Sequence, residues 1–207
     1  MNITILGTGN MGTAFAQQLH VAGHGLNILG RDSARAQALA DRFGANSERA
    51  RAALSDIVIL ATRQEDAIAA LRAAGLPEGT VVVDITNPLT PDYMGLTLGH
   101  STSAAEQLAA ALPALRVVKA FNTVFAQRLA AGPRFTETQT IPVFVASDDA
   151  QAGQRVSEMA RSMGFDVIDA GPLRNARYLE PLAGLNIYLG YGAGLGTLIA
   201  PTWLRQS

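Results

Sequence analysis

Short apolar runs recur along this chain, and each is followed by a stretch with helical periodicity. NITIL (2–6) is apolar and β-branched, and beyond a glycine-rich turn the pattern over 11–22 predicts a helix. GLNILG (25–30) predicts a second strand and 33–43 a second helix. SDIVILAT (55–62) is almost unbroken in its hydrophobicity, with a helix predicted over 65–74. TVVVDIT (80–86) reads as another buried strand, and a long loop rich in Pro, Gly, Ser and Thr follows at 87–103. AAEQLAAAL (104–112) predicts a helix and LRVVKAF (115–121) a strand. IPVFVAS (141–147), a helix over 149–163 and FDVIDAG (165–171) complete the alternation, and 174–203 reads as mostly helical.

A strand with one wet face alternates apolar and polar residues. These strands do not alternate, so both of their faces are covered, as in a parallel sheet between helical layers. The expected fold is α/β, a Rossmann-type doubly wound, mostly parallel sheet with helices on both faces and right-handed crossovers. A small C-terminal helical extension is expected to pack on it. The division is then a dinucleotide-binding domain over 1–171 and a C-terminal helical segment over 172–207. The most membrane-like stretch, IYLGYGAGLGTLIA (187–200), carries four glycines. It falls short of the roughly 20 apolar residues that a span requires. It predicts a buried helix or helix–loop, and no membrane association.

Composition adds limits. The chain has 207 residues, 48% hydrophobic and 16% charged, which suits one domain with a small appendage. The net charge of −1 supplies no basic field for nucleic acid. The absence of cysteine removes disulfides, thiolate nucleophiles and thiolate metal sites together, and fits a reducing cytosol. No basic-then-apolar leader follows Met1, so a cytoplasmic location is expected.

The stretch ILGTGNMG places Gly7, Gly9 and Gly12 in a G-x-G-x-x-G pattern between a predicted strand and a predicted helix. The first glycine permits a tight turn, the second lets a pyrophosphate approach the backbone, and the third lets helix and strand pack closely. Thr8, Asn10 and Met11 complete the loop and the helix start, whose free N–H groups suit phosphates. The alternative is a glycine turn that binds nothing.

The second strand ends in LGRDSAR (29–35). An NAD site offers a carboxylate about 20 residues on, whereas an arginine there accommodates a 2′-phosphate. Asp32 has the spacing, but Gly30 leaves the strand tip without a side chain. Arg31 and Arg35, one helical turn apart, can meet a phosphate with planar forks. Ser33 can touch the phosphate or cap the helix, and Asp32 can itself be the cap, pointing away from the ligand. The pattern favours NADP(H); the bland reading of both arginines is a solvated helix start. Later strand ends bring Thr62 and Arg63, Asn87, and Asn122 toward the same edge, where a nicotinamide carboxamide and ribose would use them.

Acid–base chemistry is poorly supplied. The single lysine, Lys119, lies within the strand 115–121 and reads as a snorkelling strand-end residue rather than a catalytic one. His20 and His24 fall where a helix ends, and His100 lies in the long loop; no metal spacing results. Alternating glycines at 190, 192, 194 and 196 permit close approach either to a ring or to a partner helix in a dimer.

GTGNMG (7–12) with GRDSAR (30–35), then STSAAEQLAAALPALRVVKAFNT (101–123), then DAGPLRNARYLEPLAGLNI (169–187) resemble the NADPH:coenzyme F420 oxidoreductases. The cytosolic domain of transmembrane ferric reductases is similar to the same family. The resemblance covers nearly the whole chain. It implies hydride exchange between NADP(H) and a deazaflavin (F420) or flavin-type ring, FMN or FAD, with no catalytic side chain required. It also implies 2′-phosphate contacts from Thr8, Arg31 and Arg35, with Gly30 standing where the family has a serine. Thr62–Gln64 and Asn122 depart from the family around the second ring. The loop 87–103 and the C-terminal helices would close over the acceptor, and a homodimer is expected. The rival functions are reduction of a small carbonyl or imine, and a non-catalytic NADP(H) sensor.

Overall fold

The computed structural model describes residues 1–203. Its strands are β1 (Asn2–Leu6), β2 (Gly25–Leu29), β3 (Ile57–Leu60), β4 (Val81–Asp84), β5 (Arg116–Lys119), β6 (Pro142–Ser147) and β7 (Asp166–Gly171). They form one seven-stranded sheet in the order β2-β1-β3-β4-β5-β6-β7. β1 to β5 pair in parallel, β6 runs antiparallel to β5, and β7 is parallel to β6. The chain leaves β1 toward β2 and then returns past β1 to β3. That reversal opens a crevice at the carboxyl ends of β1 to β3, the place where ligands bind in open α/β sheets.

The helices are α1 (Asn10–Val21), α2 (Ser33–Asp41), α3 (Arg49–Ala52), α4 (Ala67–Ala74), α5 (Ala104–Ala111), α6 (Ala126–Ala130), α7 (Ala150–Ser162) and α8 (Ala176–Ile187). The period-2 geometry of a strand divides β3 between two cores. Ile57 and Ile59 pack with Leu19 of α1, Leu39 of α2, Leu129 of α6 and Val156 of α7. Val58 and Leu60 pack with Leu71 of α4, Leu108 of α5 and Leu6. Both faces are therefore covered, as the unbroken apolar runs require. Leu179 of α8 packs on Phe144 and Ala146 of β6, which seats the C-terminal helix on the far end of the sheet.

The C-terminus is mostly helical over 174–203, as expected, but it closes on a loop. Helix α8 ends at Ile187, one π turn covers Tyr188–Gly192, and the chain to Trp203 is irregular rather than helical. Of the two readings of 187–200, helix–loop holds and buried helix does not, because Tyr188, Tyr191, Leu195 and Leu198 are exposed. Gly194 and Gly196 adopt φ of 75° and 78°, a conformation that ends a right-handed helix. The short helices α3 and α6 escape sequence periodicity because each is too brief to show it.

Candidate dinucleotide site and the strand ends beside it

Gly7 has φ 128°, and a Cβ there would collide with the Ala61 carbonyl at the end of β3. A Cβ on Gly12 would collide with the Gly7 carbonyl, while one on Gly9 would meet nothing within 4 Å. The outer glycines thus hold the loop against the sheet, and the middle one leaves open space. Gly9 caps α1 without a side chain, and the Thr13 N–H donates to its carbonyl at 2.9 Å. The earlier first-turn amides, from Asn10 to Gly12, have no acceptor inside the helix. Asn10 is exposed, Met11 is half-buried against the core and Gly12 is buried.

A cleft of about 770 Å³ opens beside this loop, over Leu6 and Leu29. It brings together Gly7, Thr8, Gly9, Arg31, Ser33, Arg35, Thr62 and Arg63 from the sequence reading. Asn10, Met11, Gly12, Asn87 and Asn122 do not line it. It adds Arg49 and Asp66, which no motif singled out. Asp66 Oδ2 lies 3.4 Å from Arg31 Nη1, and Arg63 pairs with Glu65 at 3.3 Å. Arg49 Nη1 donates to the Ala73 carbonyl, tying α3 to α4. Among the described residues, Arg35 pairs with no carboxylate.

Asp32 is the cap of α2: its Oδ1 accepts the Arg35 N–H at 3.0 Å. This settles one alternative, for Ser33 is the first helical residue rather than the cap. A carboxylate spent on capping also explains why the spacing from Gly12 is a weak sign of NAD. A Cβ on Gly30 would lie 3.1 Å from Thr8 Cγ2, so glycine here is the partner of threonine in the loop.

The ends of β4 and β5 are of another kind. Lys119 is wholly buried and does not snorkel. Its Nζ lies 2.9 Å from Asp84 Oδ2 and 2.8 Å from Glu180 Oε1, and donates to the Thr86 carbonyl at 2.6 Å. Those partners at the strand ends make burial tolerable, where a lone ammonium would be expelled toward water. The sequence could not show them, because Glu180 is far along the chain on α8.

Two residues on, Phe121 has φ 59°, a strained conformation for a bulky residue, costing about 1–3 kcal/mol. Its ring is held edge-on by Phe15 at 5.0 Å and by Phe165 at 5.8 Å. The turn delivers Asn122, whose Nδ2 donates to Asn87 Oδ1 at 3.0 Å and to the Leu179 carbonyl at 2.8 Å. Asn87 Nδ2 returns a bond to the Asn122 carbonyl at 2.9 Å. Asn122 Oδ1 is buried without a hydrogen-bond partner.

Two of the alternating glycines, Gly190 and Gly192, are needed for packing within the chain. A Cβ on Gly190 would lie 2.8 Å from the Phe125 ring, and one on Gly192 would lie 2.9 Å from Tyr188 of the same chain. His100 is exposed in the loop, and His24 Nε2 contacts Ser162 Oγ at 2.7 Å. Burial holds the His24 imidazole below its usual range. No group of side chains suited to a metal occurs among the described residues. No helix among them is long and apolar enough to cross a membrane.

A glycine loop opening a helix, with a cleft at the reversal of strand order, defines a dinucleotide-binding protein of the Rossmann type. The family model for coenzyme F420-dependent NADP oxidoreductases matches residues 2–88. The F420-dependent NADP reductase of Methanothermobacter marburgensis is 30% identical, over 91% of this chain and 92% of that protein. A solved structure from Arthrobacter sp. FB24, assigned as an F420-dependent NADP reductase, matches at TM-score 0.86 and 31% identity, covering 98% of this chain and 99% of that one. Metalloreductase STEAP3 of Rattus norvegicus is 33% identical over 87% of this chain but only 36% of that protein. The chain therefore spans about a third of the length of that metalloreductase. The chain belongs to the F420-dependent NADP reductase family, and fold and family together support an NADP(H)-binding oxidoreductase.

Proposed function

We propose that this protein transfers a hydride between NADP(H) and a deazaflavin (F420) or flavin-type acceptor, FMN or FAD. The observation that carries the reading is the cleft itself: open Gly9, the residue just before the uncapped start of α1, shares it with Arg31, Arg35, Arg49 and Arg63. Those donors suit a ligand with anionic groups at two separated points, as a pyrophosphate and a 2′-phosphate are. Gly7, Thr8, Gly9, Asn10, Met11 and Gly12 would hold the pyrophosphate. Arg31, Ser33 and Arg35 would hold the 2′-phosphate. Thr62, Arg63, Asn87 and Asn122 would serve the nicotinamide half.

When bound, the nicotinamide supplies the hydride, and the protein's task is to hold two rings at reacting distance. The strand ends supply amides and hydroxyls rather than an accessible acid or base, because the buried Lys119 is occupied by Asp84 and Glu180. That supports a reaction needing no proton transfer from a side chain. Residues 1–171 would form the nucleotide-binding unit, with the chain after them packed on it. We also propose a cytoplasmic homodimer, in which a second copy covers exposed Tyr188, Tyr191, Leu195 and Leu198. Light scattering tests that part: a monomer at micromolar concentration refutes it.

The decisive assay follows NADPH absorbance with F420, FMN, FAD and, separately, small keto acids and cyclic imines. Oxidation with a deazaflavin or flavin is the expected result. Turnover with a carbonyl or imine alone overturns it. Tight NADPH binding without turnover of any acceptor makes the protein a sensor instead.

A further inference from the structure

The segment 87–103 begins and ends on the same buried cluster. At its start, Thr86 donates its N–H to Asp84 Oδ1 at 2.9 Å, and its carbonyl accepts from Lys119 Nζ at 2.6 Å. At its end, Ala104 and Ala105 of α5 donate their N–H groups to Glu180 at 3.0 and 3.2 Å. Lys119 and Glu180 are joined at 2.8 Å, so one ion pair holds both ends. Lys119, Asp84 and Glu180 are all buried.

Stability gives this cluster little reason to exist. A buried ion pair is often no better than well-packed apolar residues of the same size. What apolar residues cannot do is bind a carbonyl and two amides at chosen places. The same three chain segments also carry the amide pair: Asn87 follows Thr86, Asn122 follows Lys119 by three residues, and the Leu179 carbonyl that binds Asn122 precedes Glu180. Further along the segment, Leu96 packs at Gly184 and Met94 at Gly192, so it also leans on α8 and the turn beyond.

We propose that Lys119 is a positioning residue, which with Glu180 and Asp84 clamps both ends of segment 87–103 and so fixes Asn87 and Asn122 where the nicotinamide half would meet the acceptor. The segment is then a fixed wall rather than a lid, since a hinge at either end would have to break bonds to a desolvated ion pair. The catalytic consequence rests on the hydride-transfer reading above; the clamp itself does not.

Two variants test this, Glu180→Gln and Lys119→Met, measured against the native protein. Amide hydrogen exchange followed by mass spectrometry reads the clamp without any acceptor. In Glu180→Gln, peptides spanning 86–105 exchange at least about tenfold faster, while those spanning 2–61 are unchanged. NADPH affinity stays within about twofold, and kcat with the active flavin or deazaflavin falls at least about tenfold at an unchanged KM for NADPH. Lys119→Met goes further in the same direction; if it does not fold, Glu180→Gln decides. Unchanged exchange in 86–105, or a uniform rise over the whole chain, overturns the clamp. A lowered melting midpoint with native kcat makes Lys119 a structural staple only. Inactivity of the native protein toward every acceptor sinks the hydride-transfer reading and leaves the exchange result standing.

Discussion

The tip of β2 and the tips of β4 and β5 stand at the same edge of one sheet, yet they are built in opposite ways. At β2, Arg31 is 86% exposed and its partner Asp66 is 35% exposed, a loose pair in water. At the carboxyl tips of β4 and β5, Asp84 and Lys119 are buried with Glu180 of α8, and each is bonded to several partners. The first region is left for a ligand's charge to organise. The second is organised by the chain alone. On the proposed function, ligand recognition by charge and ligand positioning by shape would be separated along the edge, and the two should answer differently to mutation, salt and pH.

The largest effect is expected at the loop that joins the regions. Gly7→Ala must move the Ala61 carbonyl and adopt a φ hostile to alanine, so it should cost on the order of 3 kcal/mol of stability and abolish NADPH binding. Denaturant unfolding and fluorescence titration measure both; retained binding would mean that the loop can relax away from β3. Next, Arg31→Ala should raise the KM for NADPH roughly 10- to 100-fold, the loss of a charge-assisted contact, while the KM for NADH moves less than about twofold. Equal effects on both nucleotides would place the 2′-phosphate elsewhere.

A pH test sharpens the other side. Bonds from the Arg177 guanidinium to Glu106, at 2.6 and 2.9 Å, tie α8 to α5. They hold the Glu106 carboxyl below its ordinary 4.5, aided by the Ser103 hydroxyl. Because the folded value is depressed, this contribution is complete above about 4.5 and is lost as the pH falls through the folded value. The melting difference between native protein and Glu106→Gln should therefore be steady near neutrality and shrink in acid. A difference that grows in acid would refute the pairing. The smallest effect belongs to Asp66→Asn, which frees Arg31 for a phosphate. NADPH should bind a few-fold tighter at low salt, and the gain should fade toward 1 M salt as exposed charges are screened. The acceptor side should show no such salt dependence.

The fold was legible because unbroken apolar strands alternate with helical periodicity, a local signal. The glycine loop was legible for the same reason: Gly7, Gly9 and Gly12 lie within a single turn of chain. LGRDSAR places arginines along the cleft, but does not show that Asp66, more than thirty residues away, stands among them. Lys119 was misread because burial of a lysine depends on partners from β4 and α8 that no local pattern links. For 187–200 the sequence left buried helix and helix–loop open, because a glycine's letter does not say whether it takes positive φ, as Gly194 and Gly196 do. Antiparallel β6 was hidden too, since a buried strand has the same pattern in either direction.

The shared anchoring of segment 87–103 has a consequence for how this scaffold can change. A loop whose two ends are fixed by one pair of side chains is an exchangeable cassette. Doubling its length adds only about 0.6 kcal/mol of closure entropy, and the sheet need not register the change. On the proposed function, new acceptor preferences could be grafted between Thr86 and Ala104 while residues 2–61 are left untouched.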